Sequence, residues 1–225
     1  MKRKIVATGD GSTTIQLVGW EEQYHSMHGA IQESRHVFLK TGLEHWRALH
    51  PEQDEVHVLE IGFGTGLNAL LTAVHLSEVP MKVYYEGVEA YPVAADEVAQ
   101  LNYVDQLKRT DFQSFFKEMH DAPWDEETAL KTDFYLKKRL ERFEELTDNA
   151  IHDLVYFDAF GAQVQPELWD AVIFKKMFEA LRKEGVLVTY AAKGSVRRAM
   201  QEVGFVVSRL PGPPGKREML RAVKP

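Results

Sequence analysis

The pattern of apolar and polar positions along the chain switches several times between strand-like and helical spacing. The clearest switch starts at four β-favouring apolar positions, Val56, Val58, Leu59 and Ile61. Glycines follow at alternate positions, Gly62, Gly64 and Gly66, and from Leu67 to Leu76 the apolar residues recur at helical spacing. A strand, a glycine-rich turn and a helix in this order predict a ligand-binding corner of an α/β sheet, because glycine lets the backbone approach a ligand closely.

Further apolar runs predict strands and helices that alternate along the chain. The predicted strands are Met81 to Glu89, Asp133 to Leu140, Ile151 to Phe160 and Val186 to Tyr190. The predicted helices are Leu39 to Leu49, most of Pro92 to Thr132, Glu167 to Leu181 and Ser195 to Val203. Within the second of these, the aromatic face of Phe112, Phe115 and Phe116 is interpreted as core.

Antiparallel hairpins are predicted at both ends of the chain. Ile5 to Val18 alternates around a turn signal at Gly9 to Ser12, and two C-terminal runs, Phe205 to Arg209 and Met219 to Val223, pair across a Pro/Gly-rich turn. The sequence therefore predicts an α/β fold with a mainly parallel sheet, a C-terminal antiparallel hairpin and a small N-terminal β extension. We expect residues 1–50 to form that extension and residues 51–225 to form the main domain.

The composition narrows the class of protein. Of the 225 residues, 44% are hydrophobic and 27% charged, which is typical of a globular protein. No run reaches the roughly 20 apolar residues of a membrane span, and the first residues lack the apolar core of a signal peptide. The chain has no cysteine, which excludes disulfides, thiolate metal sites and a cysteine nucleophile. We expect a cytoplasmic protein without membrane association.

Charge is distributed unevenly. The chain carries a net charge of −7, but Lys193 to Pro225 holds eight Lys and Arg residues against two Glu, a local balance of +6. An acidic body with a basic C-terminal face is suited to local docking of RNA. A solvated charged surface explains the same pattern, so both interpretations stay open.

Acidic residues around the glycine corner indicate the class of ligand. The spacing G-x-G-x-G differs from the dinucleotide fingerprint and from a phosphate-binding P-loop. Glu60 precedes the first glycine by two residues, which suits a cationic ligand and favours S-adenosylmethionine over NAD. Glu89 ends the next strand, 23 residues beyond Gly66, where an acid can accept hydrogen bonds from ribose hydroxyls. A strand-to-helix connection without any ligand is the alternative.

Two other segments are predicted to lie near this corner. Asp158 ends an apolar strand, so its carboxylate is expected at the same sheet edge; holding a ligand or capping the next helix are its alternative roles. Tyr24 to Glu33 is rich in small and polar aromatic residues and suits a loop folded across a ligand. His25, His28 and His36 have no metal-ligand spacing, and we predict no metal site.

Several motifs in fixed order resemble a known family. They include Tyr24-His-Ser with Gly29-Ala30 and Glu33, Glu60-x-Gly-Phe-Gly-Thr-Gly-Leu-Asn68, Val88-Glu89, Asp158-x-Phe160, Val196-Arg-Arg198 and Gly215-Lys-Arg-Glu-Met219. From Tyr24 onward the chain resembles the methyltransferase half of the bifunctional bacterial tRNA 5-methylaminomethyl-2-thiouridine enzymes and their stand-alone relatives. The resemblance implies a Rossmann-like class I S-adenosylmethionine-dependent methyltransferase fold.

The resemblance also implies a reaction and a set of cofactor contacts. The reaction is N-methylation of the 5-aminomethyl group of (2-thio)uridine at the tRNA wobble position, which gives 5-methylaminomethyl(-2-thio)uridine. The implied cofactor-binding residues are Glu60, Gly62, Phe63, Gly64, Thr65, Gly66, Asn68, Glu89 and Glu141, with Tyr24, Ser26 and Glu33 as a lid. Glu141 departs from the Gly-Asp of the family at the adenine. We expect no FAD, because the chain has no room for the family's flavin domain. We also expect no metal.

Catalytic and RNA-binding roles complete the hypothesis. Asp158 is expected to accept a hydrogen bond from the substrate amine and to help remove its proton. Five basic residues are expected to contact phosphates of the tRNA anticodon stem-loop: Lys193, Arg197, Arg198, Lys216 and Arg217. A separate enzyme would supply the aminomethyl substrate. A small-molecule amine methyltransferase and a non-catalytic cofactor- or RNA-binding module remain the alternatives.

Overall fold

The protein was analysed as a computed structural model that describes residues 2–20, 22–77 and 79–225. Its strands are β1 Arg3–Ala7, β2 Thr13–Leu17, β3 Glu22–Gln23, β4 Glu55–Ile61, β5 Lys82–Val88, β6 Glu127–Lys131, β7 Phe134–Arg139, β8 His152–Phe157, β9 Leu181–Thr189, β10 Val206–Pro211 and β11 Glu218–Val223. Strands β1 to β3 form a small antiparallel sheet. The other eight form one sheet in the order β10-β11-β9-β8-β4-β5-β7-β6.

Helices connect most of these strands. The α-helices are α1 Ala30–Ser34, α2 Glu44–Leu49, α3 Leu67–Leu76, α4 Ala95–Val98, α5 Tyr103–Leu107, α6 Gln113–Asp121, α7 Ala171–Ala180 and α8 Gly194–Glu202. A π-helical stretch, Arg35–Leu43, joins α1 to α2, and 3₁₀ turns occupy Thr110–Phe112, Phe143–Glu145 and Pro166–Trp169. Over the described residues, none of these helices combines the length and apolarity that a membrane span requires.

Strand β4 lies at the centre of the large sheet and marks its topological switch point. It pairs in parallel with β5 on one side and with β8 on the other, and β7 and β9 extend the parallel region outward. Within the described residues, the antiparallel strand pairs of this sheet lie only towards its two edges. In such sheets, ligands bind beyond the carboxyl ends of the strands on either side of the switch point.

Helices cover both faces of the sheet, so successive residues of a central strand are buried on opposite sides of it. Val58 on β4 packs into the cluster that includes Phe38 and Leu70, whereas the next residue, Leu59, packs into the cluster that includes Phe174 and Met200. All six residues of β8 are buried. The expected α/β fold, with a mainly parallel sheet and a C-terminal hairpin, is confirmed.

Three predictions of secondary structure were wrong in part. Residues 92–132 were predicted to be mostly helical, but Glu127–Lys131 forms β6, which pairs antiparallel with β7. This edge strand buries little apart from Leu130, so it lacks the apolar run from which a strand is recognised. The helix predicted to begin at Leu39 is instead the end of a helical segment that begins at Ala30. The boundary proposed near residue 50 stays a prediction.

The last helix before β9 starts later than its apolar pattern suggests. Glu167 was predicted as its first residue, yet Pro166–Trp169 is a 3₁₀ turn and α7 begins at Ala171. Asp170 provides the reason, because its Oδ1 accepts hydrogen bonds from the amides of Val172 at 2.9 Å and Ile173 at 3.1 Å. An aspartate in this position satisfies amides that have no partner within the helix.

Replacing Asp170 with alanine should therefore destabilise the protein. The loss of the cap is expected to lower the free energy of unfolding by about 1 kcal/mol. Urea-induced unfolding followed by circular dichroism measures it, with Asp170→Asn as the control that keeps an acceptor oxygen. Equal losses in the two variants would show that the cap does not stabilise α7.

Candidate functional site

A cavity of about 760 Å³ opens at the carboxyl ends of β4, β5 and β8. Nine of the residues selected from the sequence line it: Tyr24, Glu60, Gly62, Phe63, Gly64, Thr65, Asn68, Glu89 and Asp158. Four others, Ser26, Glu33, Gly66 and Glu141, are not among the lining residues. The cavity therefore lies where the topology of the sheet favours a ligand.

The glycine loop is closely packed against neighbouring chain segments. Gly62 has φ +92°, and a Cβ there would lie 2.8 Å from the carbonyl oxygen of Asp158. Gly64 has φ +51° and faces the ring of Tyr24, whose Cδ1 would lie 3.0 Å from a Cβ. Both positions need glycine for conformation as well as for space. The loop is thereby held between the end of β8 and the N-terminal segment.

The aromatic residue of the loop imposes a further constraint. Phe63 is buried, and its ring packs over Gly87 of β5, where a Cβ would lie 2.3 Å from Phe63 Cδ2. The amides of Gly62 and Phe63 both donate to the carbonyl of Val88 at 3.0 Å. Backbone bonds and ring packing together attach the glycine loop to β5.

Two carboxyl groups on neighbouring strands share one amide. The Nδ2 of Asn68 donates to Glu60 Oε1 at 2.8 Å and to Asp158 Oδ2 at 2.9 Å. Tyr85 donates its hydroxyl to the other Glu60 oxygen at 2.9 Å. Among the described residues, Asn68 Oδ1 is buried and has no hydrogen-bond partner. A buried acceptor without a donor points to a donor on a ligand.

The electrostatics of these acids follow from burial. Desolvation raises the pKa of Glu60 well above its usual value, and the nearby Asp158 raises it further, against the hydrogen bonds from Asn68 and Tyr85. Burial also raises the pKa of Asp158 well above its usual value, followed by the charge of Glu33. A cation that enters the cavity would favour the ionised form of both acids.

Glu89 is held at the end of β5 by two backbone amides. Gly64 N donates to its Oε2 at 3.0 Å and Tyr91 N donates to its Oε1 at 2.8 Å. These bonds orient the carboxylate beside the glycine loop and leave further lone pairs on its oxygens. Such an oriented carboxylate can receive two ribose hydroxyls.

The N-terminal sheet forms one wall of the cavity. Arg3, Leu17, Trp20 and Tyr24 line it. Arg3 also spans to the segment after β5, donating to the carbonyl of Tyr91 at 2.9 Å and to Glu97 Oε2 at 3.0 Å. Of this wall, only Tyr24 was predicted to lie at the ligand. A hairpin was predicted as well, but neither residue spacing nor composition indicates where a hairpin docks.

The predicted lid residues Ser26 and Glu33 are bonded to each other. The amide of Ser26 donates to Glu33 Oε2 at 2.7 Å, and Lys216 Nζ contacts Glu33 Oε1 at 2.5 Å. Tyr24 packs edge-on against Phe160 with ring centroids 5.0 Å apart. The N-terminal segment thus contacts the loop after β8 and the C-terminal hairpin.

Glu141 points to a charged partner rather than into the cavity. Its Oε1 accepts from Arg139 Nη2 at 2.6 Å. The following residues, Arg142, Phe143 and Glu144, do line the cavity. The contact of Glu141 with adenine stays a prediction. Phe143, which was not singled out from the sequence, lines the cavity with a flat apolar side chain.

The five basic residues selected for RNA contacts lie in different environments. Lys193 and Arg198 are exposed, and so is Arg217, with 91% of its side chain accessible. Arg197 is partly buried. Lys216 is the exception, since it pairs with Glu33 inside the fold.

One group of potential metal-ligating atoms occurs in the described part of the chain, outside the cavity. It consists of Glu86, Asp148 and His152. The guanidinium of Arg139 donates to Glu86 at 3.1 Å and to Asp148 at 2.8 Å. A positive charge therefore already occupies the place between these carboxylates.

The comparisons with known proteins agree with this geometry. A family model described as S-adenosyl-L-methionine-dependent methyltransferase matches residues 100–225. The tRNA 5-methylaminomethyl-2-thiouridine biosynthesis bifunctional protein MnmC of Polaromonas naphthalenivorans is 32% identical over 216 residues, and that of Paracidovorax citrulli is 29% identical over 219. Each alignment covers 89% of this chain and 32% of the relative, so the chain spans about a third of their length.

Solved structures give the same fold. The crystal structure of MNMC2 from Aquifex aeolicus superimposes with a TM-score of 0.77 at 27% identity, covering 98% of this chain and 69% of that one. A probable spermidine synthase from Corynebacterium glutamicum shares the fold with a TM-score of 0.56 at 16% identity, covering 98% of this chain and 75% of that one.

The raised pKa of Glu60 has a consequence for stability. The folded protein keeps this proton at pH values where the unfolded chain has released it, so the free energy of unfolding falls as pH rises from the ordinary glutamate range to the raised folded-state value. Glu60→Gln should flatten that fall in the cofactor-free protein. Urea unfolding from pH 5 to 9 measures it, with the exposed Glu52→Gln as the control expected to follow wild type; parallel curves for E60Q and wild type would contradict the assignment.

Proposed function

Because the chain belongs to the S-adenosyl-L-methionine-dependent methyltransferase family, we propose that it methylates the nitrogen of the 5-aminomethyl group of wobble (2-thio)uridine in tRNA, which gives 5-methylaminomethyl(-2-thio)uridine. The observation that carries the proposal is the placement of Asp158 and Glu60 on either side of Asn68, next to the glycine loop. The names of the two MnmC relatives supply the substrate class.

The residues of the cavity fit S-adenosylmethionine. Glu60 and Asn68 Oδ1, which has no hydrogen-bond partner in the described part of the chain, suit the ammonium and sulfonium charges at its methionine end. Glu89 suits the ribose hydroxyls, and the loop from Gly62 to Gly66 allows close approach of backbone. When bound, the cofactor supplies an electrophilic methyl group. No oxidation state changes in the transfer, so the proposed reaction needs no FAD, and the proposed step uses no metal.

Asp158 is proposed to act on the substrate amine. The nitrogen must lose a proton before its lone pair is available to the methyl group that the cofactor would supply; the electron pair of the donor bond would remain with the cofactor's sulfur. Asp158 accepts a hydrogen bond from the amine, aligns the lone pair and receives the proton. Its raised pKa suits this role, because burial strengthens its affinity for a proton. Positioning of the amine by the walls of the cavity favours the in-line geometry.

The basic residues of this face support a tRNA substrate: Lys193, Arg198 and Arg217 are exposed, and Arg197 is partly buried. Lys193, Arg197, Arg198 and Arg217 are proposed to contact phosphates of the anticodon stem-loop. The wobble base lies in a loop, so turning it into the cavity costs less than extracting a paired base. A tRNA substrate places the reaction in the cytoplasm, and a separate enzyme must install the aminomethyl group first.

Incubation with labelled S-adenosylmethionine tests the reaction. We expect label in tRNA that carries the unmethylated aminomethyl group and none in free amines. Asp158→Asn should lower kcat by about 10²- to 10⁴-fold without weakening cofactor binding in calorimetry, whereas the exposed control Asp96→Asn should keep the wild-type rate. Label in free amines alone would indicate a small-molecule methyltransferase, and cofactor binding without transfer to either would indicate a non-catalytic module.

Salt dependence tests the tRNA surface. Arg198→Ala and Arg217→Ala should each weaken tRNA binding and reduce the slope of log affinity against log salt by about 0.7 to 0.9. Filter binding at salt concentrations from about 50 to 300 mM measures the slope. Lys82→Ala is the matched control, since Lys82 starts β5 at the opposite end of the strand from the cavity. An unchanged slope in the arginine variants would remove this surface from the proposal.

A further inference from the structure

We propose that Lys216 and Glu33 form a positioning pair that sets the charge environment of Asp158, and that Lys216 acts there rather than on a tRNA phosphate. The inference rests on the proposed role of Asp158 in methyl transfer to an amine. It assigns to the two residues a function other than the cofactor and RNA contacts expected from the sequence.

The first argument is that the ammonium group of Lys216 already has two partners within the protein. Its Nζ lies 2.5 Å from Glu33 Oε1 and 3.9 Å from the centroid of the Tyr190 ring. Only 32% of the Lys216 side chain and 9% of the Glu33 side chain are exposed. A cation held by a carboxylate and an aromatic face in a partly buried place would lose both partners on moving to a phosphate.

The second argument is that two chain segments hold the pair in place. Glu33 is oriented by the amide of Ser26, which donates to its other oxygen at 2.7 Å. The loop that carries Lys216 is attached to the N-terminal segment at two further points. His36 donates to the carbonyl of Pro211 at 2.8 Å, and Gly215 lies against the ring of His28, where a Cβ would be 2.0 Å away.

The third argument is proximity to Asp158. The ring of Tyr190, on which Lys216 packs, reaches the residue after Asp158, because its hydroxyl donates to the carbonyl of Ala159 at 2.8 Å. Glu33 raises the pKa of Asp158 and Lys216 lowers it. Among the described residues, the ionisable groups around this corner include Glu22, His25, Glu33, Glu60, Tyr85, Glu89, Tyr190 and Lys216. Lys216 is the one ammonium of this set, among acids, tyrosines and a histidine.

The two charges of the pair thus act on the pKa of Asp158 in opposite directions, and neither residue alone provides this balance. Asp158 must be ionised to accept a proton from the amine. Without Lys216, the charge of Glu33 would be uncompensated and would favour the protonated acid. Without the Glu33 charge, Lys216 would favour the carboxylate and would also compete with a cationic substrate for the corner.

Carbon NMR of the aspartate carboxyl groups tests the inference without any turnover. The signal of Asp158 is assigned with Asp158→Asn, and its titration is followed in the cofactor-free protein. We expect the midpoint to move to higher pH in Lys216→Met, to lower pH in Glu33→Gln, and to return near wild type in the double variant. Lys193→Met removes the same charge from an exposed site and should leave the midpoint unchanged.

These outcomes separate an electrostatic role from a structural one. If the pair merely fastens two segments, the single variants would unfold more easily but would not shift the Asp158 midpoint in opposite directions, and that result would overturn the inference. Lys216→Gln and Glu33→Asp replace the first variants if these fail to fold. Lys216→Arg should keep the midpoint, because it keeps the charge.

The pH dependence of kcat provides a second readout. The acid limb should shift in the same directions as the NMR midpoints, and on that limb Lys216→Met should lower kcat roughly threefold at fixed pH, as expected for a shift of about half a pH unit. Shifted NMR midpoints with an unshifted kcat profile would leave the pair intact and contradict the catalytic role of Asp158. Unshifted NMR midpoints would contradict the pair, whatever the substrate.

Discussion

The hydrogen bonds of Asn68 to Glu60 and Asp158 are the interaction on which the candidate site depends. Parallel pairing of β4 with β8 brings two acids to the same sheet edge, where like charges repel and burial disfavours ionisation of both. A side-chain amide with two N–H groups can donate to each of them at once. Because α3 begins directly after the glycine loop, the same turn that receives the ligand also delivers this amide.

The elements near the glycine corner could be predicted because their information is local. Apolar β-favouring residues followed by Gly62, Gly64 and Gly66 specify a strand and a turn within a dozen residues. Glu89 and Asp158 each end an apolar run, and a parallel sheet brings such ends together. The edge strand β6 lacks such a local signal and was therefore missed. An exposed strand with one buried residue has no distinctive period.

Contacts between distant parts of the chain could not be predicted from periodicity. Glu33 and Lys216 are separated by 183 positions, and nothing in either segment indicates that they meet. Tyr85 resembles any aromatic residue of a buried strand until the pairing of β4 with β5 places its hydroxyl at Glu60. Arg3 likewise becomes a wall residue only through the docking of the N-terminal sheet. In each case the tertiary arrangement, rather than local preference, determines the partner.

The packing of Phe63 on Gly87 links two segments whose sequences would otherwise vary independently. With an aromatic residue at 63, a side chain at 87 has no room, so most substitutions of Gly87 are incompatible with this loop. A smaller residue at 63 would relieve the restriction but leave a void beneath the loop. The two positions should therefore coevolve, and a glycine loop transplanted from another methyltransferase would require the matching residue of β5 to be transplanted with it.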